Sequence, residues 1–243
     1  MNNQEVFYCK KCGKPAPFLK GGLDSKEQEY KYCVDCGTAY SYTPINLNKM
    51  TGSPLYKKIC ELHNLYFGEE NEQYYNLSSN GSAQVMYRLA NYFLPDILKK
   101  DFVGDEKRKQ QIVNCATPLA HLYWNLILDG YFAWIAEQLL SSKKIDVSKA
   151  SNSEGFENEC HKTAGAVYDD FVLCLKSSQD SNSISRDTAF VLQTFVLLQG
   201  RSYFNSIDQL RPLEDIYFHI QATCLESVVY GYAVGIAEAR YRK

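Results

Sequence analysis

Four cysteines in two C-x-x-C pairs, Cys9/Cys12 and Cys33/Cys36, carry the clearest chemistry in the chain. Glycine follows each pair directly, as Gly13 and Gly37, and twenty residues separate the pairs. Each C-x-x-C turn holds two sulfurs within reach of one ion, and two such turns supply a tetrahedral thiolate set. The glycine admits the positive φ that such a turn tends to need. Structural zinc is therefore the expected cofactor. A second set is Asp215, His219, Ala222 and Glu226, which share one side of a helix. An Asp215–His219 pair at i,i+4 would tune the imidazole, and Glu226 would complete an acid–base group. The alternative is a solvent-facing stripe at a helix start, where Asp favours the dipole.

Other residues have bland readings. Lys10, Lys11, Lys14, Phe18 and Lys20 would suit phosphates and bases beside the first knuckle, but Arg is absent there and Asp24, Glu27, Glu29 and Asp35 lie nearby. Cys60, Cys115, Cys160, Cys174 and Cys224 lie in apolar helical contexts and are expected to pack as small buried hydrophobes. Cys160-His161 lacks the spaced partners a second metal site requires. His121, Asp129 and Glu137 interrupt an apolar run and are expected to form an exposed polar face.

The elements that position these groups follow from punctuation and periodicity. Residues 5–43 read as short strands around two knuckles, with Gly21-Gly22 expected to turn the chain. Residues 44–52 read as a linker. Helices dominate afterwards. Ser53 caps one that Gly68 stops, with Leu55, Ile59, Leu62 and Tyr66 on one face. Others are expected near 82–93, from Pro95 towards Gly104, after the cap Asp105, from Thr117-Pro118 to Leu140, over 156–176, from Ser185 to a stop at Gly200, and over 213–241. Segments 141–155 and 177–183 read as loops. The last helix carries Thr223, Ser227, Gly231, Gly235 and Ala239 at four-residue steps. Such a stripe lets another helix approach closely. The contact is expected inside the chain, with a homodimer through Gly231 and Gly235 as the alternative. Leucine at either glycine should disrupt it, and alanine should be mild.

The two C-x-x-C-G knuckles on short strands resemble the zinc-ribbon family. The resemblance covers about a fifth of the chain and implies that Cys9, Cys12, Cys33 and Cys36 are the ligands. Rubredoxins hold iron on similar knuckles, so iron is the alternative metal. Two helical families do not fit. HEPN ribonucleases need Arg and His closer than the seven residues between Arg211 and His219. Rubrerythrin-like proteins need Glu-x-x-His on two helices, which this chain lacks. No P-loop, G-x-G-x-x-G helix start, H-E-x-x-H or G-x-S-x-G occurs.

The expected fold is therefore mainly α: a small N-terminal β zinc ribbon, residues 1–48, then a multi-helix bundle, residues 49–243. A net charge of −2 argues against a general nucleic-acid or membrane-surface protein. Hydrophobic content of 45% is ample for a core, yet no run spans a bilayer. Metal-ligand spacing without a leader-like start points to a reducing cytoplasm. The expected function is a zinc-binding adaptor or regulator, not an enzyme, docking a protein or nucleic-acid partner. The alternative is a helical nuclease-like hydrolase whose ribbon guides substrate.

Overall fold

The structure, a computed structural model, describes residues 19–23, 29–33, 39–40, 47–67, 81–142, 154–176 and 180–241. Two compact units divide the chain, Met1–Asn46 and Leu47–Lys243.

In the first unit, β1 (Leu19–Leu23), β2 (Glu29–Cys33) and β3 (Ala39–Tyr40) form a three-stranded antiparallel sheet in that order. Leu19 pairs with Cys33 and Leu23 with Glu29. Gly21 and Gly22, expected to turn the chain, instead lie inside β1 opposite Lys31 and Tyr30. The ladder bonds through backbone groups, which glycine retains, so the reversal falls after Leu23. Cys9, Cys12, Cys36 and the lysines at 10, 11 and 14 lie outside the described residues.

The second unit is helical. The expected linker contains α1 (Leu47–Thr51), a helix too short to persist alone that packs against the later helix Arg186–Phe195. In α2 (Pro54–Phe67) Ser53 is the cap: its Oγ accepts from Tyr56 N at 3.2 Å. Ile59 and Leu62 are the buried face. Helix α3 (Gly81–Arg88) widens into a π turn, Leu89–Phe93, and continues as α4 (Leu94–Lys100). Pro95 explains the widening, since its ring clashes with the carbonyl four residues back in a regular helix. Gly104, at φ +85°, and the Asp105 cap then lead into α5 (Glu106–Asn114).

Helix α6 (Ala116–Leu140) is buried on nearly every side from Pro118 to Ala136, as an apolar-all-round helix must be. Around it lie α7 (Glu154–Lys176), α8 (Arg186–Phe195) and α9 (Arg201–Ser206). Gly200 does not stop α8. It sits in a second π turn, Val196–Gly200, with ordinary helical dihedrals, φ −55° and ψ −47°, so the helical path runs on. The final helix also starts differently. Pro212 lies within a tight 3₁₀ segment, Asp208–Ile216, and regular α-helix begins as α10 (Tyr217–Tyr241).

Helices α6 and α10 form the core. Tyr123 meets Thr223 at 2.9 Å and Tyr131 meets Glu238 at 2.6 Å, so the two run parallel. A Cβ on Gly231 would stand 1.8 Å from Ile127 O, and one on Gly235 would stand 2.7 Å from the Trp134 ring. Gly130 returns the contact: its Cβ would meet Val228 O at 1.9 Å. The stripe is thus taken up within the chain. That corrects the homodimer through Gly231 and Gly235, and the expectation of mild alanine substitution with it.

Candidate acid–base site

Helix α10 sets His219 and Glu226 two turns apart on one side, and Tyr230 one turn further. The expected Asp215–His219 pair does not form. Asp215 lies in the 3₁₀ segment and binds Arg108 of α5, whose Nη1 also donates to Pro212 O at 3.1 Å. His219 turns instead to Asp101, the residue that ends α4, with Nδ1 3.1 Å from Oδ2. Phe102 stacks against the imidazole at 4.8 Å. Both partners are nearly half exposed, at 48% and 41%.

Glu226 differs. Its Oε2 is buried without a hydrogen-bond partner. Burial first, then the charge of Asp101, pushes its carboxyl from the ordinary 4.5 up to about 6. Tyr230 beside it is pushed up to about 12 by burial and by Glu226. Beyond Tyr230, His161 of α7 comes within 3.4 Å of its hydroxyl, and Phe93 of the first π turn contacts both rings. Asp101, His161 and Phe93 were not legible as partners, because each joins α10 from a distant part of the chain. A Glu titrating near 6 beside a His–Asp pair is able to give and take protons near neutrality.

The apolar-helix acids are not an exposed face. Asp129 is fully buried and pairs with His63 of α2. Glu137 accepts from Tyr232 at 2.5 Å and from Thr188. Only His121 of that trio is exposed. Buried carboxylates need donors, and neighbouring helices supply them. Cys115, Cys160, Cys174 and Cys224 are buried, as expected, while Cys60 is partly exposed. Among the described residues no group of three His, Cys, Asp or Glu is placed to hold a metal ion. Cys33, the last residue of β2, is the one expected ligand within them. No helix among them is long and apolar enough to cross a membrane.

Comparison with protein-family profiles, with curated proteins and with solved structures returns no match. The functional reading therefore rests on this chain's own residues.

Proposed function

We propose that the chain is a zinc-binding docking protein, a metal-braced ribbon joined to a helical unit that together engage a protein or nucleic-acid partner in the cytoplasm. One observation supports the zinc half. In sequence β1 follows Cys12, β2 ends on Cys33 and β3 follows Cys36, the order that two knuckles on a short antiparallel ladder require. A unit this small buries little apolar surface, and zinc on Cys9, Cys12, Cys33 and Cys36 would supply folding energy. The docking half follows from what such a ribbon offers, a rigid surface with no chemistry of its own. Elemental analysis of reduced protein should give about one zinc per chain. A partner retained from lysate should survive with the intact chain and be lost with Cys33→Ser. Nuclease treatment then separates protein from nucleic acid. Zinc near zero in the folded chain, or equal retention by Cys33→Ser, would overturn the reading.

Glu226 favours a second reading, a hydrolase acting through Glu226 and the Asp101–His219 pair, with the ribbon guiding substrate. Incubation with single-stranded RNA tests it. Cleavage that disappears in Glu226→Gln and His219→Gln supports it, and an inert wild type removes it.

A further inference from the structure

A second acid–base pair lies elsewhere in the helical unit, between α2 and α6. His63 Nδ1 stands 2.8 Å from Asp129 Oδ1. With Asp129 ionised, Oδ1 accepts from Nδ1, and a neutral ring in that tautomer presents a lone pair at Nε2. Asp129 is fully buried, whereas the His63 side chain keeps 23% of its surface exposed. The second carboxylate oxygen, Oδ2, is buried with no hydrogen-bond partner. A purely structural pair of this kind would satisfy both oxygens. Burial pushes the Asp129 carboxyl up, against the pull of its contacts with His63 and with Gln199 of the second π turn. Turns of this type recur at functional sites. Aromatic rings frame the imidazole: Phe67 at 4.7 Å, itself half exposed, and Phe132 at 6.3 Å. Cys60, one turn before His63, is a poor nucleophile, because burial and the Asp129 charge both push its thiol up.

We propose that His63 and Asp129 form a hydrolytic centre for uncharged esters carrying an aromatic group, with water as nucleophile. His63 Nε2 takes a proton from water as its oxygen adds to the ester carbonyl. The tetrahedral intermediate collapses and expels the alcohol, which takes that proton back. The products are the acid and the alcohol, and no further reactant enters. Asp129 stays ionised and acts as a positioning residue, holding the ring and stabilising the transient imidazolium. The half-exposed Phe67 ring beside the imidazole suits an aromatic substrate.

The probe is 4-nitrophenyl acetate with the full chain, followed across about pH 5 to 9. Wild type should show saturable hydrolysis that rises as one group deprotonates. His63→Gln should lower the rate by about tenfold or more. Asp129→Asn should lower kcat with little change in KM, since the ring loses the carboxylate that holds it. His121→Gln, at the exposed start of α6, should match wild type and so discount generic imidazole catalysis. His63→Gln at the wild-type rate, or an unchanged kcat in Asp129→Asn, would overturn the proposal. Nitrogen NMR of the wild-type imidazole decides the matter if either variant fails to fold. An Nδ1-protonated His63 is expected, and an Nε2-protonated one would overturn it. Zinc content is unaffected by any of these outcomes, so the docking reading stands or falls separately.

Discussion

Burying Glu226 with Oε2 unpartnered makes its proton part of the fold. The folded carboxyl titrates near 6 rather than 4.5, so the folded state holds that proton more tightly than the unfolded chain. Stability from this group is therefore full below about pH 4.5 and declines as pH rises towards 6. The loss is at most about 2 kcal/mol. Glu226→Gln should remove the dependence, raising the melting temperature at pH 8 while changing little at pH 4. Equal melting curves for both proteins at both pH values would show that Glu226 is solvated. Residue-scale features differ in how well the sequence announces them. The cysteine pairs are legible because metal ligation imposes a local spacing. The partners of His219 and Asp129 are not, because Asp101 and His63 reach them from other helices.

Helix caps were legible for the same reason of locality. Ser53, Asp105 and Ser185 each accept a backbone N–H three residues on, at 3.2, 2.9 and 3.1 Å. The π turns and the 3₁₀ segment were not, since helical periodicity gives no sign of one widened or tightened turn. Gly200 misled in the same way: nothing local distinguishes a glycine that ends a helix from one buried beside Tyr217 and Cys224. The glycine seam between α6 and α10 was half legible. The stripe on α10 could be read, but its reciprocal on α6, Gly130, could not. Because a Cβ on Gly231 would meet backbone rather than a yielding side chain, Gly231→Ala should cost about 1–3 kcal/mol despite better helix propensity. That corresponds to a fall of about 2–4 °C in melting temperature per kcal/mol. The fall should be independent of protein concentration. A variant that melts with wild type would mean the two helices stand further apart than this.

The unit Leu47–Lys243 is compact and buries its own core. Expressed alone, it should be helical and melt cooperatively, and chelation of zinc from the full chain should leave its transition in place. Loss of cooperativity on removing residues 1–46 would show that the ribbon completes the core. The mainly helical class was within reach of composition and punctuation. The parallel pairing of α6 with α10 was not, because it joins segments about a hundred residues apart. That pairing has a consequence during synthesis. Leu140 ends α6, yet the helix that covers it finishes only at Tyr241. At roughly 5–20 residues per second, a nascent chain carries a 25-residue apolar helix uncovered for about 5–20 seconds. The ribosome-bound chain is then a natural client for chaperones that shield greasy segments. Nascent chains stalled before Tyr217 should recruit such factors, and chains released after α10 should shed them.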